Sequence, residues 1–159
     1  MPKQYWLMKS EPGSYSIGDL SRDKVTYWSG VRNFQARNFM RDTMKVGDGV
    51  LFYHSVTDPV GIAGEAKVVK PGYPDPTAYD PNDHHYDPKS QDGSPTWFMV
   101  DVQFVKACKK IITLSQLREM PSLEGMELLK RGSRLSVQKV SPKEWEIIMR
   151  LPEWVLRTA

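Results

Sequence analysis

Three short segments of the 159-residue chain place ring side chains next to polar ones. Trp6-Leu-Met-Lys9-Ser10-Glu11-Pro12 passes from an apolar run into a polar end stopped by proline. Trp28-Ser29-Gly30-Val31 sets a tryptophan on a Ser-Gly turn, and a helix start bearing Arg32, Asn33, Gln35 and Arg37 follows. Phe52-Tyr53-His54-Ser55 ends an apolar run in three rings and a hydroxyl. These are the parts of a pocket for a flat heteroaromatic. Ring faces stack a base for about 1–3 kcal/mol, while amide, hydroxyl and backbone groups read its edge. Arginines near a helix N-terminus can hold a phosphate. Each part also has a plainer use. Trp6 and Phe52 lie inside apolar runs and read as core, and Arg37 and Arg41 at i and i+4 fit a solvated helix face. Trp28 has glycine and polar neighbours, which argue against deep burial.

Other chemistries find little support. The chain has no GxSxG, HExxH, P-loop or GxGxxG motif, and Gly47-Asp48-Gly49 reads as a turn between helix and strand. The single cysteine, Cys108, excludes an intramolecular disulfide and a CxxC site. Its neighbours Lys109 and Lys110 could lower a thiol pKa, but no histidine partner can be assigned. Asp83, His84, His85 and Asp87 are the best metal candidates. Adjacent histidines diverge in most backbones, however, and zinc or calcium spacing is lacking. His54, closing a strand, reads as a hydrogen-bonded structural residue. No metal and no cofactor are expected.

Composition and charge bound the class. The length suits one domain over residues 1–159, and 26% charged residues is ordinary for a soluble globular chain. No apolar run approaches the ~18 residues of a membrane helix, and the N-terminus lacks a signal-peptide core, so a cytoplasmic protein without membrane contact is expected. The net charge of +3 is unevenly spread: residues 71–95 hold one lysine against five aspartates, and the rest of the chain is basic. Such a body permits a polyanionic partner without demanding one.

Several elements position these groups. Strands are expected over Tyr5–Lys9, Val50–His54, Ile62–Val69, Trp97–Val105 and Leu135–Val140. Helices are expected over Ile17–Arg22 after Ser16, within Asn33–Met44, and at Leu114–Glu119 and Pro142–Leu151 behind capping boxes. Without regular βαβ alternation, these predict an α+β domain around a curled sheet. Residues 71–95 hold six prolines and three tyrosines, and read as a semi-ordered flap pinned by Tyr73, Tyr79 and Tyr86.

The runs WLMKSEP, YWSGVRNFQARNFMRDTMKVGDGVLFYHS, VGIAGEAKVV, YDPKS and RGSRLSVQKVSPKEWEIIM closely resemble the EVE domain family across nearly the whole chain. The resemblance implies a PUA-like curled β-barrel with short peripheral helices, and a non-enzymatic reader of modified bases in DNA or RNA. It also implies site residues. Lys9, Ser10 and Glu11 would lie at the pocket mouth or floor. Trp28, Ser29, Gly30, Val31, Arg32 and Asn33 would form a wall with Trp28 stacking. Phe52, Tyr53, His54 and Ser55 would complete it, with Trp97, Arg134 and Gln138 as weaker candidates. Phe34 stands where many relatives carry tyrosine, and is expected to pack. Two rivals stay open. A nucleic-acid-processing enzyme would need Glu11, His54 and Asp48 to converge, and a binder of a free nucleoside-like molecule would show affinity independent of salt.

Overall fold

The computed structural model describes residues 3–90 and 94–155. Strand β1 (Tyr5–Ser10) pairs in parallel with β3 (Gly49–His54) and antiparallel with β6 (Val137–Val140). Antiparallel ladders add β4 (Gly61–Pro74), β5 (Phe98–Thr113) and β2 (Val25–Tyr27). The order across the sheet is β2-β5-β4-β3-β1-β6. Side chains alternate across a strand. Trp6, Met8, Val50 and Phe52 therefore enter one core with Leu20, Met40 and Val100. Leu7, Leu51 and Tyr53 enter a second core on the opposite face, with Leu117, Ile148 and Trp154. Cover on both faces is why β1 and β3 read as unbroken apolar runs.

The α+β class with short peripheral helices holds, and the sheet curls without closing, since β2 and β6 remain its edges. Register shifts along β4–β5, such as those at Ile62/Gly64 and Lys70/Tyr73, supply extra local twist. β2 was not foreseen: its three residues pair with Asp101–Gln103, yet Val25 and Tyr27 stay exposed and give no apolar pattern to read. β4 runs on through Pro74, so the expected flap begins as strand. Among the described residues no helix is long and apolar enough to cross a membrane.

Helix α1 (Ile17–Asp23) starts at a full capping box: Ser16 Oγ accepts from the Asp19 N–H and the Asp19 carboxylate from the Ser16 N–H. In α2 (Phe34–Asn38), Asn33 is the cap, its Oδ1 accepting from the Ala36 N–H at 3.0 Å. The expected single helix over 33–44 instead widens into a π turn at Phe39–Thr43. Gly72 of β4 packs on that turn so closely that a Cβ there would stand 2.3 Å from the Met40 carbonyl oxygen. Helices α3 (Leu114–Arg118) and α4 (Pro142–Met149) follow their predicted caps at Thr113 and Ser141.

Candidate functional site

β1 ends beside the loop that follows β2, and the two border a hollow of about 770 Å³. Eight residues singled out in the sequence line it: Lys9, Ser10, Glu11, Trp28, Ser29, Gly30, Val31 and Arg32. Sequence reasoning did not foresee Tyr15, Asp23 and Thr26 in the wall, nor that His84 and His85 are the residues the flap brings to it. A second hollow of about 520 Å³ near Tyr5 and Pro142 holds none of the predicted site residues.

Trp28 is more buried than its neighbours suggested, at 8% exposure. Its ring meets Phe52 edge-on at 5.4 Å, and its backbone N–H donates to the Val100 carbonyl. It is both a core residue and a wall of the hollow. Ser10 Oγ donates to the Tyr15 carbonyl at 2.6 Å, bracing the turn at Glu11, whose own carbonyl accepts from the Tyr15 N–H. Lys9 extends over the Tyr53 ring on the far face of the sheet, and burial lowers its pKa despite the nearby Glu127.

Arg32 does not await a phosphate. Its Nε and Nη2 donate to the His85 carbonyl at 3.0 and 2.8 Å, Nη1 to the Val31 carbonyl and Asp75, and Nη2 also to Thr77. Asp75 is fully buried. Burial alone would raise its pKa, but hydrogen bonds from Thr77, the Gly30 N–H and Arg32 outweigh that and hold it below the usual carboxylate range. This cluster clips the flap to the loop after β2. Gly30 makes the approach possible: its φ is +81°, and a Cβ there would stand 2.7–3.0 Å from the His85 imidazole.

The other predicted residues lie elsewhere. Asn33 is spent as a helix cap. Phe52 is wholly buried behind Trp28, and Tyr53 faces the opposite core, because neighbours in a strand point to opposite faces. His54 Nε2 accepts from the Ile17 N–H at 3.1 Å, capping α1, and burial lowers its pKa. Ser55 donates its N–H to the Ser10 carbonyl. Trp97 donates through Nε1 to Asp87 at 2.7 Å, stacks on Phe34 and lies under Arg32, anchoring the flap from behind. Thus Trp97, Asp75 and Arg32 secure the flap, whereas Tyr86 is exposed. Arg134 is exposed, and Gln138 is buried with Nε2 donating to the Leu135 carbonyl. The stretch they bracket contributes Ser136 to the hollow. Residues 91–93 of the flap lie outside the described residues.

Acid–base and metal chemistry fare differently from expectation in one respect. The His84 and His85 rings do not diverge; their centroids are 3.9 Å apart, and donor atoms of Asp83, His84 and His85 lie within 4.8 Å of one another. Such a nitrogen and oxygen set could hold a borderline divalent ion. Asp87 is not part of it, being engaged with Trp97. Asp48 lies just before β3, at the opposite end from His54 and roughly 20 Å away along the strand, and binds the Trp6 indole N–H, so the three residues of the enzymatic rival do not converge. Burial pushes the Cys108 thiol up to about 12, with the Glu153 charge adding to it, so it is no nucleophile at neutral pH.

The family model of the EVE domain matches residues 4–151. The chain belongs to the EVE domain family. Human thymocyte nuclear protein 1 is 43% identical over 168 residues, covering 94% of this chain and 74% of that protein. Among solved structures, a Pseudomonas syringae protein superposes with a TM-score of 0.89 at 48% identity, covering 91% of this EVE domain and 97% of that chain. The crystal structure of human THYN1 protein in complex with 5-methylcytosine-containing DNA superposes with a TM-score of 0.87 at 42% identity, covering 92% and 96%.

Proposed function

We propose that this EVE domain is a non-enzymatic reader that receives a modified nucleobase of DNA, or of RNA, in the hollow beside Trp28. The observation that carries the reading is the hollow itself: one aromatic wall, a rim of backbone and hydroxyl groups, and a flap clipped across it. Its volume of about 770 Å³ lies within the ~300–1,000 Å³ of small-ligand sites. The relative solved with 5-methylcytosine-containing DNA supports DNA as the polymer. The relatives' names carry no catalytic activity, and the separation of Asp48 from His54 favours binding over turnover.

A methyl group buried against the wall adds about 1 kcal/mol, roughly fivefold in affinity. Useful discrimination therefore also draws on a hydrogen bond to the base edge. Extruding a base from a duplex costs a few kcal/mol, so single-stranded or mispaired targets bind more tightly than intact duplex. The test is a titration of labelled DNA and RNA oligonucleotides, with and without 5-methylcytosine, at two ionic strengths. Tighter binding of the modified strand is expected. Equal affinity for modified and unmodified strands, or conversion of the strand to product, overturns the reading.

A further inference from the structure

We infer that His85 is the edge-reading residue of the hollow, and that it selects a base presenting an N–H donor, as the exocyclic amine of a cytosine-type base does. This rests on the reading above. The argument begins with Asp83. Its Oδ1 accepts from the His85 backbone N–H at 2.8 Å and lies 3.1 Å from the ring Nδ1. A carboxylate oxygen can only accept, so of the two uncharged tautomers this contact selects the one with the ring proton on Nδ1. Nε2 is then left with a free lone pair, and among the described residues no hydrogen bond reaches it.

The rest of the neighbourhood holds that ring in place. Arg32 grips the His85 carbonyl with two N–H groups, His84 leans on the ring at 3.9 Å between centroids, and Gly30 interposes no side chain beside Nε2. A fixed acceptor in the wall rewards a donor and leaves a carbonyl edge facing a lone pair. Cytosine carries an amine donor where thymine carries a carbonyl, and 5-methylcytosine and thymine share the methyl group. That pair isolates the edge from the methyl.

The experiment compares oligonucleotides bearing 5-methylcytosine or thymine at one position, bound by the wild-type chain and by the His85→Ala and Asp83→Ala variants. Wild type is expected to favour 5-methylcytosine by about tenfold or more, the size of one hydrogen bond with its unpaired alternative. His85→Ala should bring the ratio to within about twofold of unity, and Asp83→Ala should lower it by freeing the tautomer. Long-range 15N–1H spectra of the free protein give a readout that needs no ligand: they should show the His85 proton on Nδ1. A proton on Nε2, or a ratio unchanged in His85→Ala while wild type still prefers the methylated base to cytosine, overturns this inference and leaves the reader function standing. Failure of wild type to distinguish 5-methylcytosine from cytosine strikes the reader function itself.

Discussion

The guanidinium of Arg32 and the carbonyl of His85, 53 positions apart in the chain, are joined by two hydrogen bonds of 3.0 and 2.8 Å. The same guanidinium reaches Asp75, fully buried, and Thr77. Arg32→Lys should keep the charge but lose the planar fork that binds both partners at once. A stability loss of roughly 1–3 kcal/mol is expected for Arg32→Ala, and somewhat less for lysine. The flap should open with it. Hydrogen exchange of residues 76–90 should accelerate in both variants while the β1 amides stay protected, and an unchanged flap would contradict the clip.

Trp28 illustrates how a site residue can also be core. Its indole packs edge-on against Phe52 and is almost fully buried, so Trp28→Ala should cost about 3–5 kcal/mol. Trp28→Phe keeps an aromatic contact with Phe52 and should cost less than the alanine change while shrinking the stacking face. Urea denaturation should rank the variants in that order. Trp28→Phe, still folded, is then the one whose loss of oligonucleotide affinity reports on stacking.

At Gly30 two penalties coincide. Its φ of +81° disfavours any L side chain, by about 1 kcal/mol for alanine. A Cβ would also press into the His85 ring at 2.7–3.0 Å, and that ring cannot shift freely while Asp83 and Arg32 hold it. Gly30→Ala should therefore lose more than 1 kcal/mol by thermal unfolding. A melting temperature equal to wild type would mean the flap gives way readily.

His54 sets the mild-acid limb of stability. Its Nε2 accepts from the Ile17 N–H, which requires the neutral ring, and burial lowers its pKa. A lowered folded value means that the unfolded chain takes up the proton first. Stability is thus full above the unfolded value of about 6.5 and declines as the pH falls below it toward the folded pKa. Asp75, also held low, adds its loss only further down, below the ordinary carboxylate range. His54→Gln offers an uncharged acceptor to the same N–H, so its urea midpoint should change less than that of wild type between pH 7 and 5. Identical slopes would assign the acid sensitivity to other groups.

Local signals carried the elements well. Ser16/Asp19 and Ser141/Glu144 formed the capping boxes their spacing announces, and the apolar runs at Trp6–Met8 and Val50–Tyr53 became buried strands. Two site assignments could have been read more closely. Strand alternation forbids Phe52 and Tyr53 from facing one pocket, and Asn33 stands where a helix cap belongs. His84 and His85 were beyond local reading. They reach the wall because Asp75 accepts from the Gly30 N–H across 45 positions, a pairing that no periodicity encodes.

Free cationic groups are few at the hollow, and this fixes how binding should respond to salt. Glu11 and Asp23 border it, Lys9 carries its ammonium over Tyr53 on the far face of the sheet, and the Arg32 N–H groups are already committed within the protein. Few cations there are left for phosphates, so the net charge of +3 must act through the wider surface. About two to four phosphate contacts would give a slope of log affinity against log salt of roughly −2 to −4. Fluorescence anisotropy with a methylated oligonucleotide over a series of salt concentrations measures it directly. A slope near zero would point to a free nucleoside-like ligand. A slope steeper than about −6 would mean that the polymer is gripped by its backbone rather than by the base.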